Sequence, residues 1–346
     1  MKPIKISVLI PNFNHGHYLP IQLDSMIDQS RPPDEIIIID DASTDNSVEI
    51  INQYIAKYNF IKLIKSKKNK GVEYNINKLI SCAEGDYIFL SAADDKVLPG
   101  FFEEVEKAAL QHPDVGVISG IVRLIDADGL DHGIRMMPII SQKAIFLDTQ
   151  AVQQTLVKYG RWIQVSAMVL KKEYVDAIGG QDQEIGSFAD NFLAMLIALK
   201  HGAYFIPKEL GCWRKMDTGY GYVTGSDVTN LIRQGNCIGK RMKIDYDTLF
   251  ENKFTDRFLS HWIYMIFQNF GHLDKFQKKE VLKSQAFTDL CGLANLSFLK
   301  IKLIKSVLGN VDNKYLPLFF LAPKFWFLRT RINVRVYSGT FRLQEY

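Results

Sequence analysis

Four short apolar runs recur through the first hundred residues, and they restrict the fold more than any other feature of the chain. Residues 5–10, 35–39, 60–64 and 87–91 are rich in β-branched and aromatic side chains, which suit a pleated strand. Between them lie stretches with helical spacing. Residues 17–29 carry Pro20 where a first turn tolerates it, residues 45–58 place Val48, Ile51, Ile55 and Tyr58 on one face, and residues 72–83 follow suit. Strands apolar on both faces, joined by amphipathic helices, predict βαβ units in a mostly parallel α/β sheet. In such sheets ligands bind beyond the carboxyl ends of the strands.

Those ends are polar here. The first run stops at Pro11-Asn12-Phe13-Asn14, the second at Asp40-Asp41-Ala42-Ser43-Thr44-Asp45, and the third runs into lysines and Asn69-Lys70-Gly71. The fourth stops at Ala92-Ala93-Asp94-Asp95. Adjacent carboxylates after a buried strand repel each other and resist desolvation unless a cation joins them. The glycine-rich loops GxGxxG and GxxxxGK[ST], which cradle phosphates directly, do not occur. A divalent cation, Mg²⁺ or Mn²⁺, held by hard carboxylate oxygens is then the expected way to bring a diphosphate to this edge.

With these stretches in view, the chain resembles the inverting family 2 glycosyltransferases of GT-A fold, which transfer a sugar from a nucleotide diphosphate sugar. The resemblance is carried by SVLIPNFNHGHYL, EIIIIDDASTDNS, NKGVEYNINK, GDYIFLSAADD followed by Pro99, and IGGQDQEIGSFADNFLAMLIALKHG. It covers residues 4–222. It implies a GT-A domain over 1–222, with a nucleotide-binding half (1–100) and an acceptor half (101–222). A mainly helical, basic and aromatic region would follow over 223–346.

Carried over residue by residue, the resemblance implies that Pro11, Asn12 and Phe13 line the base and ribose pocket, with the Phe13 ring against the base. Asp41 would accept a hydrogen bond from the base, which favours a UDP-sugar. Asn77 would stand at the sugar-diphosphate side. Asp94 and Asp95 fall on the metal-binding Asp-x-Asp-Asp pattern, with Asp94 also facing the donor. Asp190 falls on the general base. Three departures stand out: Ala92 replaces the first acid of the pattern, Ala189 replaces the acid that usually precedes the base, and Trp213-Arg214-Lys215-Met216 lacks the family's histidine. Arg214 or Lys215 would then neutralise the leaving diphosphate.

An inverting transfer needs a base for the acceptor hydroxyl, a neutralised leaving group and oriented reactants. Each assignment has a plainer competitor. Asp190 lies at the start of the apolar stretch FLAMLIAL, where an acid also suits a helix N-terminus. Asp94 and Asp95 could form a solvated turn before a helix near Pro99, and one of the acids at 40–45, or Ser43, should cap the following helix. Trp162 and Trp213 could stack on an acceptor sugar or simply fill core. Asp126-Ala127-Asp128-Gly129 imitates the metal motif, but Asp-Gly after a strand signals a hairpin turn. His15, His17 and His112 lack partners at ligand spacing and read as surface histidines.

Charge is distributed unevenly. From Ala294 onward nine Lys or Arg face two acids, so the tail carries about +7 and the remainder about −3. The same tail holds YLPLFFLAPKFWFL (315–328), a pattern suited to an anionic membrane surface. A packed helix pair is the alternative, and no motif supports nucleic acid as a partner. No signal-peptide core or spanning segment is evident, so a cytoplasmic protein, peripheral on the membrane, is expected. Cys82, Cys212, Cys237 and Cys291 follow no zinc or CxxC spacing. The expected function is sugar transfer to a glycan or lipid-linked glycan in surface polysaccharide synthesis. The rival readings are a degenerate, glycan-binding scaffold and a nucleotidyltransferase. The second lacks a basic, glycine-rich first loop.

Overall fold

The structure, a computed structural model, describes residues 3–296. The basic aromatic tail and its membrane reading therefore lie outside the described residues. Ten strands form one sheet: β1 (Ile6–Asn12), β2 (Glu35–Asp40), β3 (Ile61–Lys65), β4 (Tyr87–Leu90), β5 (Lys96–Val97), β6 (Val117–Ile125), β7 (Asp131–Ile134), β8 (Ile145–Leu147), β9 (Met168–Lys171) and β10 (Ala203–Arg214). The order is β3-β2-β1-β4-β9-β6-β10-β5, with β7 beside β6 and β8 beside β10. β1–β4, β6 and β10 share one direction, whereas β5, β7, β8 and β9 oppose it. The four expected strands fall within two residues of their apolar runs.

Alternation along the strands builds two cores. Ile36 and Ile38 of β2 join one face with Ile6, Val8 and Ile10 of β1, while Ile37, Ile39 and Leu9 join the other. All four isoleucines of β2 are at most 1% exposed, each worth about 1.5–3 kcal/mol of apolar burial. The first face is covered by α1 (Leu19–Ile27), α2 (Ser47–Ile55) and α4 (Phe101–Gln111). The second is covered by α3 (Val72–Cys82), α5 (Thr149–Tyr159), α6 (Lys172–Ile178) and α7 (Ala189–His201).

Beyond β10 the described chain is helical: α8 (Tyr220–Ser226), α9 (Val228–Lys240), α10 (Asn252–Gln268), α11 (Lys275–Lys283) and α12 (Gln285–Leu293). α9, α10 and α12 share the core of α7. Gly235 lets α9 and α10 approach, since a Cβ there would stand 2.7 Å from the Trp262 ring. The Trp262 indole donates to the Leu231 carbonyl at 2.7 Å. Among the described residues, no helix is long and apolar enough to cross a membrane.

Candidate active site

The shared strand direction brings the carboxyl ends of β1, β2, β4, β6 and β10 to one edge. β1 and β2 end in register, Asn12 opposite Asp40. The Asn12 amide donates to Asp40 Oδ2 at 2.9 Å and to Ser43 Oγ at 3.2 Å. Asp45 accepts the Gly16 and Ser47 N–H groups, so it serves both the first loop and the start of α2. Asn12 thus organises the loops rather than facing outward. Pro11 is half-buried and the Phe13 ring is 43% exposed, free to meet a planar ligand. Asp41 is buried, and its carboxylate accepts the Lys70 and Gly71 N–H groups at 2.9–3.0 Å. It ties the lysine-rich loop to the end of β2. Beside that loop a cavity of about 490 Å³ is lined by Lys65, Lys67, Lys68, Lys70, Lys78 and Asn75, among others.

The acidic pair after β4 divides its labour. Asp95 is 6% exposed, and its Oδ1 accepts the Arg214 N–H at 2.8 Å. The Ser166 hydroxyl also reaches it, and burial followed by the Asp94 charge pushes its carboxyl up to about 7. β10 can come this close because Gly211 lacks a side chain, whose Cβ would sit 2.0 Å from the Ser166 carbonyl oxygen. Asp94 is half-buried, with its carboxyl raised by burial and pulled back by the charges of His15 and Arg214. The solvated-turn reading does not describe this loop.

These positions also test the expected metal. Asp95 is nearly closed to solvent and commits Oδ1 to the backbone of β10, so the metal contact expected of it would use the carboxylate's remaining lone pairs. Ala92, exposed at the missing acid's position, offers only a methyl group. Asp94 is the more open of the two acids, and one carboxylate plus substrate phosphates is an ordinary Mg²⁺ or Mn²⁺ arrangement. The residues fit a divalent cation through Asp94. A second acidic group, Asp182, Glu184 and Cys237, has ligand atoms within 4.8 Å of one another. Its charge is already met by Arg241, at 2.7 Å from Asp182 and 3.1 Å from Glu184.

Arg214 was expected at the diphosphate. It is 4% exposed, and its Nε donates to the Asp94 carbonyl at 2.7 Å. Its Nη1 donates to the Asp126 and Ala127 carbonyls at 2.8 and 3.0 Å, and the guanidinium lies over the Tyr18 ring. It is a clamp on the acidic loop, not a free cation. Lys215 is exposed beside it. The Asp126–Gly129 segment is the hairpin turn between β6 and β7, as expected, with Gly129 N–H bonded to the Asp126 carbonyl at 3.0 Å.

Asp190 lies in the first turn of α7, half-buried. Burial raises its carboxyl, while bonds from Asn191 and the charges of Arg135 and Arg161 draw it down. Arg135 also acts on Asp95, so one guanidinium couples the acidic loop to Asp190. Neither arginine was anticipated. Each stands alone in a loop, and nothing in the local pattern separates it from a solvated charge.

Asn77 does not face open space. Its amide donates to the Gln181 carbonyl and accepts the Gln181 N–H, both at 2.8 Å, pinning the loop after α6. Trp162 is fully buried, edge-on to Phe205, which corrects its candidacy as an acceptor platform: its faces belong to the core. Trp213 is half-buried, and the Arg135 guanidinium covers its ring at 4.3 Å.

Residues 7–171 match the family described as Glycosyl transferase family 2. The putative glycosyltransferase EpsE of Bacillus subtilis (strain 168) is 33% identical over 142 residues, 41% of this chain and 51% of that protein. Across the curated relatives compared, the match spans between 15% and 59% of their own length. Among solved structures, S. aureus TarS 1-349 in complex with UDP-GlcNAc superposes with a TM-score of 0.65 at 15% identity, covering 91% of this chain and 90% of that one. The mannosyltransferase PcManGT from Pyrobaculum calidifontis, in complex with GDP-Man and Mn²⁺, has a TM-score of 0.52 at 14% identity, covering 98% and 89%. These likenesses establish the fold, a GT-A α/β architecture with a helical extension.

Proposed function

Residues 7–171 belong to glycosyl transferase family 2, and from that premise we propose that this protein transfers a sugar, with inversion, from a UDP-sugar to a hydroxyl of a glycan or lipid-linked glycan in surface polysaccharide synthesis. The observation that carries the reading is that Arg135, packed on Trp213 beside the Arg214 that holds the acidic loop, feels the charges of both Asp95 and Asp190. A base for the acceptor and an anchor for the donor phosphates then belong to one site. The UDP-GlcNAc in TarS supports a uridine donor, and the Mn²⁺ in PcManGT supports a divalent ion.

In the proposed reaction Phe13 stacks on the base, while Asp41 holds the Lys70–Gly71 loop as the pocket wall. Asp94 would hold Mg²⁺ or Mn²⁺, which would supply positive charge to the leaving diphosphate. Asp190 takes the proton from the acceptor hydroxyl as that oxygen bonds to the anomeric carbon. The bond from that carbon to the phosphate oxygen breaks on the opposite face, and the nucleoside diphosphate leaves with the electron pair. Arg135 and Arg161 favour ionised Asp190 against its burial, as a base requires. Lys215 stands as a further phosphate contact. A lipid carrier would involve the tail beyond residue 296, and truncation before residue 297 should then release the protein from anionic vesicles.

The test is nucleoside diphosphate release from a panel of UDP-, GDP- and dTDP-sugars, with Mn²⁺ and with chelator. Metal-dependent release from one UDP-sugar, lost in Asp94→Asn and Asp190→Asn, is the expected result. Release that ignores chelator removes the metal, and failure to bind any nucleotide sugar favours a glycan-binding scaffold instead.

A further inference from the structure

Most arginines of the described chain find a partner. Arg123 pairs with Asp131 and Glu209, Arg241 with three acids, and Arg214 with three carbonyls. Arg135 and Arg161 differ. Among the described residues, no hydrogen bond or ion pair engages either guanidinium, and each feels its neighbours only through space. Both are nevertheless held firmly, by aromatic rings.

The Arg161 guanidinium carbon lies 4.8 Å from the Phe188 ring centroid. Phe188 directly precedes α7, whose first turn carries Asp190. Arg161 itself follows Gly160, which ends α5 at φ 76°. On the other side, Arg135 N–H donates to the Val122 carbonyl at 2.8 Å. Its guanidinium covers Trp213, one residue before the Arg214 that clamps the acidic loop. A ring beneath a guanidinium does not satisfy its N–H fork, and among the described residues no acceptor engages the fork of Arg135 or Arg161. That fork matches two oxygens of a phosphate or carboxylate.

The charge balance points the same way. Two half-buried guanidiniums repel each other, and the fixed counter-charges they share or feel are Asp190 for both and Asp95 for Arg135. Desolvated cations without a partner are costly, so the arrangement suits a ligand that brings negative charge. The donor diphosphate is the first candidate, but Arg161 feels Asp190 and Arg135 and neither Asp94 nor Asp95. Arg161 packs on Phe188, two residues before Asp190, which puts it on the side of the base, while Arg135 feels Asp95 as well as Asp190 and lies between the base and the acidic loop.

We infer that Arg135 and Arg161 form an oxyanion subsite for a phosphate or carboxylate group carried by the acceptor, next to the hydroxyl that Asp190 deprotonates. The inference rests on the transferase reading of Asp190 and narrows the acceptor to an anionic glycan or polyol phosphate.

The test is calorimetric titration of the full chain, saturated with UDP and Mn²⁺, against sn-glycerol 3-phosphate, glucuronate and glycerol. One of the two anions should bind while glycerol does not, and which one binds separates phosphate from carboxylate. Arg135→Gln and Arg161→Gln should each weaken that binding at least tenfold. Arg161→Lys should weaken it less, and UDP affinity should stay within twofold throughout. Displacement of UDP by the anion would assign the pair to the donor and overturn the inference. So would the absence of anion binding, or binding unchanged in both glutamine variants. Should a glutamine variant misfold, the lysine variant and the competition with UDP still decide. If UDP does not bind at all, the transferase reading fails by itself. The same anion titration on nucleotide-free protein then judges the subsite separately.

Discussion

Replacing Asp95 by Asn should stabilise the protein at alkaline pH, although the residue sits in an acidic loop of the site. Burial, and then the Asp94 charge, lift the Asp95 carboxyl from its ordinary 3.8 to about 7. The folded protein keeps that proton up to about pH 7, whereas the unfolded chain releases it near pH 4. Between those limits the folded state binds more protons, so raising the pH lowers stability, with the full penalty reached above pH 7. The gap corresponds to about 4 kcal/mol at 1.36 kcal/mol per pH unit. Asn is isosteric, carries no charge and can still accept the Arg214 N–H. In chelator, guanidinium melts from pH 4 to pH 8 should show wild-type stability falling and Asp95→Asn remaining far flatter. The two curves should meet near pH 4 and separate by up to about 4 kcal/mol at pH 8. A variant with the wild-type slope, or less stable than wild type at pH 8, would refute the buried, proton-holding carboxyl.

Phe13→Ala should leave stability within about 0.5 kcal/mol, because the ring is exposed. It should weaken UDP binding by about 1–3 kcal/mol of lost stacking, read by calorimetry. Trp162→Ala should destabilise by about 3–5 kcal/mol in denaturant melts, since the ring is wholly buried, while UDP affinity in the folded protein holds. Asn77→Ala breaks two hydrogen bonds to Gln181 and should cost about 1–3 kcal/mol, with faster hydrogen exchange at Gln181. Asp190→Asn should lower turnover by about 10²–10⁴ with UDP affinity unchanged.

The sheet and its polar, acidic edge were legible in the chain, and for one reason. Strand and helix periodicities are local, and strand polarity decides which loops share an edge. Residues 35–39 could only be a strand buried on both faces, so the acids that follow had to lie at the ligand edge. The motifs at Asn12, Asp41 and Asp94 lie within residues 7–171, where the family match bears out the resemblance they carried, and the motif at Asp190 lies beyond it. Roles within that edge were harder to read. Asp94 and Asp95 are adjacent and chemically identical. Only β10, brought close by Gly211, makes Asp95 an internal acceptor and leaves Asp94 outward. Trp162 and Trp213 look equivalent as letters, yet one fills core and the other carries a guanidinium. Arg135 and Arg161 lie 26 positions apart in sequence and meet Asp190 only when the chain folds. Sequence by itself determined the architecture and the acidic edge, because hydrophobic periodicity acts over neighbouring residues. Tertiary structure alone decided which charges are spent within the protein and which face a ligand, because that depends on partners arriving from distant strands.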